Sequence, residues 1–262
     1  MSTTPARLGT LYLVPTPLDF GCDGADADTG LLSALPAHTL QVAAGLTHWI
    51  TENAKSTRAF LKRVGGQVPL AAPLQEQQIQ ELPRAVHKKG DHQPQGGFDA
   101  KPLLAAALQG HDIGLLSEAG MPAVADPGSS VVRAAHALGL RVVPLVGPVS
   151  LMLALAASGL NGQNFAFVGY LPQDAAARAQ RARELEALAH KTGQTQLFIE
   201  TPYRNAGLLQ GLLQTLKPQT RLALCCGLTL PTQQVHSAAV SDWKKQPPAL
   251  PLELPTVFLI GA

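Results

Sequence analysis

The chain has 262 residues, of which 46% are apolar, enough to bury a core as one large domain or two smaller ones. Only 15% of the residues are charged and the formal net charge is +2, whereas proteins that hold nucleic acid mainly through electrostatics carry a strong basic excess. The bulk charge therefore does not call for a nucleic-acid partner, although it leaves an RNA substrate open.

The first third of the chain predicts two strands and several helices. Thr10–Val14 is a continuous apolar run that Pro15 ends, since proline cannot continue a central strand. His48–Thr51 predicts a second strand. Residues 29–45 show helical periodicity with a break at Pro36, and residues 53–64 predict a helix closed by Gly65 and Gly66. Residues 76–89 predict a helix with a proline interruption, and residues 90–100 predict a surface loop.

From residue 112 onward, strands and helices alternate regularly. The predicted strands are 112–117, 141–146, 165–171, 196–200, 221–226 and 256–261, and the predicted helices are 128–139, 148–159, 174–193 and 205–216. Such alternation indicates parallel strands joined by helices that cover both faces of a sheet. About ten strands are too many for one open sheet. We therefore predict an α/β fold of two α/β domains with largely parallel sheets, spanning 1–150 and 151–262.

The three cysteines, Cys22, Cys225 and Cys226, have neither the spacing of a zinc site nor the even number of a disulfide framework. They predict buried free thiols in a reducing compartment. The segment Met1–Thr10 lacks a signal-peptide pattern, and the longest apolar run, Leu151–Ala157, is too short to span a bilayer. We expect a soluble cytoplasmic protein that binds no metal and enters no membrane.

Ligands of open α/β sheets lie outside the carboxyl ends of the strands, and those ends are rich in small residues here. They are PTPLD after Val14, ENAKSTR after Thr51, SEAGMPAVADPG after Leu116, VGPVS after Leu145, YLPQD at 170–174 and TPYR after Glu200. The chain carries no dinucleotide fingerprint, phosphate-binding loop, hydrolase elbow or zinc-protease motif. Group transfer from an already activated donor suits such a site, because it requires mainly positioning.

Together, these strand-end segments resemble the tetrapyrrole methylase superfamily of S-adenosylmethionine-dependent methyltransferases. They are most similar to the branch that methylates ribose 2′-hydroxyls of ribosomal small-subunit RNA. The segments that carry the resemblance, in the family's order, are LYLVPTPL, ENAKSTRAFL, SEAGMPAVADPGSSVVRAA, VVPLVGPVSLMLALAASGL, FAFVGYLP and FIETPYR. The resemblance implies a fold of two α/β domains with S-adenosylmethionine in a cleft between them, S-adenosylhomocysteine as product, and a homodimer.

The resemblance also implies which residues contact the cofactor. They are Pro17, Gly120, Met121, Pro122, Val124, Ser150, Leu151, Tyr170, Thr201, Pro202, Cys225 and Cys226. On this interpretation SEAGMPAVADPG is small because the cofactor packs on its backbone. For Asp126 to Gly128 itself, a simple turn that starts a helix is the favoured interpretation.

The acceptor side departs from the family pattern. Asp19-Phe20 replaces a Gly-Asn pair, Asn53-Ala54-Lys55 replaces an Asp-Thr-Arg sequence, and the uncharged CGLTL at 226–230 replaces a charged stretch. These losses fall mainly on charged groups that would contact phosphates. The acceptor is therefore left open between ribosomal RNA and a small molecule such as a tetrapyrrole, and a non-catalytic homologue that binds the donor is a third alternative.

A ribose hydroxyl acceptor would benefit from a base. Glu52, Lys55 and Arg58 are the candidate catalytic residues, and Glu118 and Glu200 come next. Glu52 and Arg58 could equally form a structural ion pair or interact with the helix start. Tyr203 and Arg204 could contact the acceptor or simply begin a helix.

Overall fold

The computed structural model describes residues 7–19, 27–83, 86, 91 and 98–262, with side chains of 27–29 left out. The predictions for Cys22, for the last residues of the predicted helix over 76–89 and for most of the loop at 90–100 lie outside these residues. The chain divides into two compact units, Met1–Val149 and Ser150–Ala262.

The first unit is built on a five-stranded, all-parallel sheet with strand order β3-β2-β4-β1-β5. Its strands are β1 (Thr10–Val14), β2 (His48–Thr51), β3 (Gln78–Glu81), β4 (Ile113–Leu116) and β5 (Arg141–Pro144). Its helices are α1 (Ala27–Ala34), α2 (Ala37–Gly45), α3 (Ala54–Gln67), α4 (Ala105–Leu108), which follows a 3-10 turn at Lys101–Leu104, and α5 (Ser129–Ala137).

Both faces of this sheet are buried, which explains the continuous apolar runs of its central strands. Trp49 packs with the apolar side chains of α1, α2 and α3, whereas its neighbour Ile50 packs with those of α4 and α5. In β4, Leu116 likewise packs on the same side as Trp49, and its neighbour Leu115 packs on the same side as Ile50. Successive side chains of a strand point to opposite faces, so each strand supplies both cores.

The second unit has a five-stranded mixed sheet with strand order β6-β7-β10-β8-β9. Its strands are β6 (Phe165–Tyr170), β7 (Thr195–Glu200), β8 (Arg221–Cys226), β9 (Gln234–Ala239) and β10 (Thr256–Gly261). Its helices are α6 (Ser150–Ser158), α7 (Ala175–Thr192), α8 (Asn205–Thr215), after a 3-10 turn at Pro202–Arg204, and α9 (Val240–Lys245).

Only β6 and β7 run parallel in this second sheet, and its other three strand pairs are antiparallel. The short connection over 227–233 explains the pairing of β8 with β9, because a parallel pair needs a crossover of a dozen or more residues. The predicted α/β fold class is confirmed, but the parallel arrangement extends over the whole sheet only in the first unit.

Two sequence predictions of local structure were wrong, and one strand was missed. Residues 78–81 form the edge strand β3 instead of a helix, because Gln78 N–H donates to the carbonyl of Thr47, just before β2, and Leu82 N–H donates to the carbonyl of Thr51, the last residue of β2. The edge strand β9 was not predicted. Helix α3 continues through Gly65 and Gly66 instead of ending there.

Gly114 in β4 is required by the packing of Trp49. A Cβ atom there would stand 2.4 Å from Cζ3 of Trp49, whose Nε1 is held by the side chain of Gln77 at 2.9 Å. We predict that Gly114→Ala lowers the free energy of unfolding by about 1–3 kcal/mol through overpacking. Gly66→Ala is the control, since nothing lies within 4 Å of its Cβ position and it should stabilise α3 by up to about 1 kcal/mol. Urea unfolding measures both, and an unchanged midpoint for Gly114→Ala would contradict the packing argument.

Candidate functional site

In the first unit, the carboxyl ends of β1 and β4 form a topological switch point. The two strands are paired in register, with Val14 beside Leu116, and their onward connections diverge: β1 leads across β4 to β2, and β4 leads across β1 to β5. Ligands of open α/β sheets bind at such points. Just beyond the strands, Thr16 N–H donates to the Gly120 carbonyl at 2.9 Å and Gly120 N–H donates to the Thr16 carbonyl at 3.1 Å.

Two glycines allow the loops after β1, β4 and β5 to pack on one another. Gly120 has φ +80°, and a Cβ atom there would stand 3.1 Å from the Leu18 side chain. A Cβ atom on Gly147 would stand 2.3 Å from Pro15. The small residues at these strand ends therefore have a structural reason of their own, which is the close contact between neighbouring loops.

The loop that follows Gly120 has an unusual backbone. Ala123 and Ala125 have φ of 65° and 63°, although left-handed backbone is unfavourable for residues with a Cβ atom. Val124 lies between them with 40% of its surface exposed, and its N–H donates to the Met121 carbonyl at 3.3 Å. Backbone strain of this kind is concentrated at ligand sites. Of the other predicted cofactor residues here, Pro17, Gly120 and Pro122 are buried and Met121 is half-buried.

Three carboxyl groups gather at the ends of β2 and β4, which are adjacent strands. Glu118 N–H donates to Oε2 of Glu52 at 3.0 Å. Burial, reinforced by the negative charge of Glu52 and to a lesser extent of Glu118, raises the pKa of Asp126 to about 7, although the Ser117 hydroxyl counteracts this. Asp126 is therefore part of an acidic cluster with Glu52 and Glu118, a relation that the turn interpretation missed.

The two basic candidate residues carry a charge opposite to that of this acidic cluster. Lys55 and Arg58 are exposed on the first turns of α3, and Arg58 Nη1 donates to the Ala54 carbonyl at 3.4 Å. The residue before the helix, Asn53, caps it by accepting from Lys55 N–H at 2.9 Å and Ser56 N–H at 3.4 Å. The departure from the family pattern at Asn53 thus has a local role, since asparagine is a strong N-cap.

Helix α5 receives its N-terminal cap from a residue distant in sequence. The Asp91 carboxylate accepts hydrogen bonds from Gly128 N–H, Ser130 N–H and the hydroxyls of Ser129 and Ser130, at 2.7 to 2.8 Å. Burial alone would raise the pKa of Asp91, but these hydrogen bonds outweigh it and lower the pKa. The contact fixes the end of the loop that carries Asp126, and no sequence signal indicated it.

In the second unit, the register brings the ends of four strands to one row: Glu200 of β7 is paired with Thr256, Thr256 with Cys226, and Cys226 with Gln234. Because β6 runs parallel to β7, Tyr170 ends at the same edge, with 59% of its surface exposed. Beyond β7, Thr201 is half-buried and Pro202 is exposed.

The remaining predicted cofactor residues of this unit are less accessible. Cys225 and Cys226 are fully buried, and burial, with a smaller effect of Cys226, raises the pKa of Cys225 to about 12. Both are free thiols, as predicted. Ser150 and Leu151 begin α6, where Ser150 is half-buried and Leu151 is 3% exposed. A ligand at the end of β8 would therefore meet backbone and not these thiols.

Within the described ranges, no group of three or more His, Cys, Asp and Glu side chains is arranged to hold a metal ion. Among the helices in the part of the chain that the structure describes, none is both long and apolar enough to cross a membrane.

Residues 50–243 match the sequence profile of the family described as Tetrapyrrole (Corrin/Porphyrin) Methylases. The chain belongs to this family. The match spans most of the chain and includes strand ends of both units. It confirms the predicted resemblance and the prediction that the protein is a methyltransferase.

Several curated relatives carry the name ribosomal RNA small subunit methyltransferase I. That of Pseudomonas aeruginosa is 28% identical over 246 residues, covering 91% of this chain and 76% of that protein. That of Escherichia coli O157:H7 is 29% identical over 241 residues, covering 91% and 73%. That of Mesorhizobium japonicum is 30% identical over 231 residues, covering 88% and 67%.

Solved structures of tetrapyrrole methylases have the same fold. The uroporphyrin-III-C-methyltransferase of Thermus thermophilus aligns with a TM-score of 0.50 at 20% identity, covering 97% of this chain and 94% of that one. The methyltransferase CobJ aligns with a TM-score of 0.54 at 16% identity and the same coverage. At these identities the likeness shows the fold alone.

The raised pKa of Asp126 leads to a prediction about stability. Between about pH 4 and pH 7 the native state retains a proton that the unfolded chain has lost, so ionisation works against folding as the pH rises through this window. We predict that Asp126→Asn is more stable than wild type by about 1–2 kcal/mol at neutral pH and that the difference vanishes near pH 4. This range is smaller than the full pKa shift would give, because solvent screens a partly exposed group. Glu118→Gln, at the exposed member of the cluster, should have a smaller effect. Urea unfolding at several pH values measures this, and a pH-independent difference would contradict it.

Proposed function

We propose that the protein is an S-adenosylmethionine-dependent methyltransferase that methylates a ribose 2′-hydroxyl of ribosomal small-subunit RNA. The observation that carries this proposal is similarity over about nine tenths of the chain to relatives named ribosomal RNA small subunit methyltransferase I. The likeness to tetrapyrrole methyltransferases rests on 20% identity or less and indicates the fold only. Action on ribosomal RNA would also agree with a cytoplasmic location.

The acidic edge of the first unit fits the proposed donor. S-adenosylmethionine carries a positive sulfonium and a positive ammonium group, and the carboxyl groups of Glu52, Glu118 and Asp126 favour positive charge beside them. The strained loop presents Val124 next to this cluster. We place the donor against Gly120, Met121, Pro122 and Val124, near Pro17, and assign further contacts to the second unit. Those further contacts are Ser150, Leu151, Tyr170, Thr201, Pro202 and the strand end at Cys225 and Cys226.

The residues of the protein then need to fill only a few catalytic roles. The bound donor supplies a methyl group that is already activated for transfer, so the protein must align the hydroxyl and exclude water. We assign Glu52 as the group that accepts the hydroxyl proton as the ribose O–C bond forms and the S–C bond breaks. The neighbouring Asp126 carboxyl, protonated in part near neutral pH, limits the negative charge around Glu52. Lys55 and Arg58, exposed on α3, are assigned to phosphate contact instead.

We also propose a homodimer. Met152 and Leu153 on α6 are 42% and 39% exposed, and Ala156 and Ala157 continue the same uncharged helix surface. Exposed apolar side chains that lie together are typical of an interface between protein chains. A monomer in sedimentation equilibrium would contradict this proposal.

Donor binding is tested by isothermal titration with S-adenosylmethionine and S-adenosylhomocysteine. We predict that wild type binds both and that Val124→Arg weakens binding by roughly tenfold or more, because the arginine occupies the donor surface. Leu108→Arg is the matched control, since Leu108 is 44% exposed against 40% for Val124 and lies on α4. Gly120 is less suitable for this test, because its φ of +80° would strain any side chain.

Two results would contradict the placement or the function. If Val124→Arg binds the donor as wild type does, the donor does not lie on this loop. If wild type binds neither ligand, the proposed methyltransferase activity itself fails.

The base is tested with small ribosomal subunits that lack the modification. We predict that Glu52→Gln slows methyl transfer by about 10²- to 10⁴-fold while donor affinity is kept, which is the usual contribution of a general base. Lys55→Gln and Arg58→Gln should instead weaken RNA binding and leave the rate at saturating RNA nearly unchanged. Transfer of radiolabelled methyl measures the rates, and an unaffected Glu52→Gln variant would eliminate Glu52 as the base.

Transfer to a tetrapyrrole and not to RNA would favour the small-molecule alternative, and donor binding without any transfer would favour the non-catalytic one.

A further inference from the structure

Tyr203 is the most exposed large side chain with apolar surface among the described residues, at 81%. It lies in the 3-10 turn Pro202–Arg204, directly after β7 and beside Thr201 and Pro202 of the proposed donor site. Its ring is therefore presented at the carboxyl edge of the second sheet, where Tyr170 is also exposed.

The helix that follows does not depend on the Tyr203 side chain. Helix α8 begins at Asn205, whose side-chain amide donates to the carbonyls of Leu252 and Leu254 at 2.9 and 3.0 Å. No side chain caps the start of α8. The sequence left two interpretations of Tyr203 open, namely contact with the acceptor and the start of a helix. The start of a helix does not explain why a tyrosine stands at this position.

One side of the Tyr203 ring is supported by a fixed cation. The Arg204 guanidinium lies 5.4 Å from the ring centroid, within cation–π range. Its Nη2 is 2.7 Å from Oε1 of Glu200, and its Nε donates to Glu200 and to the Thr201 hydroxyl. The Glu200 side chain is only 4% exposed, so the anchor of the guanidinium is nearly buried. The ring thus lies against a guanidinium that is itself held, and most of the ring surface remains open.

A nucleobase matches this arrangement. Proteins recognise unpaired RNA bases mainly by stacking them on aromatic rings and guanidinium planes, and stacking tolerates any base. A ring that already lies against a fixed neighbour loses less conformational freedom when a base stacks on it than a ring without such a contact. Arg178, whose Nη1 donates to the Gln173 carbonyl at 2.7 Å at the start of α7, adds positive charge on the same edge for the phosphates.

We propose that Tyr203, supported by Arg204, is the stacking surface for an unpaired base of the RNA acceptor. The proposal rests on the proposed function, because it names part of the acceptor site of the same enzyme. It assigns recognition of the acceptor to an aromatic contact. Such a contact does not depend on the charged groups that the family pattern has at 226–230 and this chain lacks.

The test measures binding of a short, fluorescein-labelled single-stranded RNA of mixed sequence to the full chain in the presence of S-adenosylhomocysteine. We expect Tyr203→Ala and Tyr203→Leu to weaken RNA binding by roughly tenfold or more, and Tyr203→Phe to stay within about twofold of wild type, because stacking needs the ring and not the hydroxyl. Phe165→Ala is the control, since Phe165 is also exposed, at 40%, but lies at the opposite end of β6. Photocrosslinking of RNA that contains 5-iodouridine, followed by peptide mapping, should identify the peptide with Tyr203.

The outcomes separate this inference from the proposed function. RNA binding that is equal in Tyr203→Ala and wild type would overturn the inference, as would a loss in Tyr203→Phe as large as that in Tyr203→Leu. A change in sedimentation of Tyr203→Ala without a change in RNA affinity would show a protein interface, and Tyr203-dependent binding of uroporphyrin in place of RNA would show a tetrapyrrole surface; either would overturn it. Donor binding and methylation by wild type test the proposed function independently, since they do not use the Tyr203 variants.

Discussion

The pair of backbone hydrogen bonds between Thr16 and Gly120 determines the form of the candidate site in the first unit. It joins the loops after β1 and β4 at the switch point of the sheet, and it requires a residue that adopts φ +80°. From this point the chain must pass through Ala123 and Ala125 before reaching the cap that Asp91 provides for α5. Since both ends of the loop are held, its strained conformation persists and Asp126 is placed near Glu52.

The acidic cluster is a consequence of this constraint and not of local sequence. Asp126 lies in a turn, Glu118 follows β4 and Glu52 follows β2, and only the adjacency of β2 and β4 brings them together. Burial of a carboxyl group beside another carboxylate disfavours its ionised form, which opposes folding near neutral pH. An arrangement that destabilises the fold is easier to understand as part of a site that receives positive charge than as a structural element.

The sequence predicted those parts of the fold that follow from burial. The apolar runs of β1, β2, β4, β7, β8 and β10 identified strands because side chains on both faces of these strands enter a core. It missed the edge strands β3 and β9, whose polar residues become strands only through pairing with a neighbour. The resemblance identified the strand-end loops, but the hydrogen bonds of Asp91 with α5 and the electrostatic interaction of Asp126 with Glu52 join segments that are distant in the chain and carry no local pattern.

The weak net charge and the proposed RNA substrate are compatible if affinity arises from contacts other than phosphate neutralisation. A net charge of +2 provides little release of counterions, which is the main source of non-specific RNA affinity. Stacking on a held aromatic ring makes no such demand, because it depends on contact area and orientation. The ion pair between Glu200 and Arg204 offsets the charge of the guanidinium and fixes the guanidinium beside the Tyr203 ring. In this chain the charge of Arg204 thus serves the geometry of the ring more than attraction for the phosphate backbone.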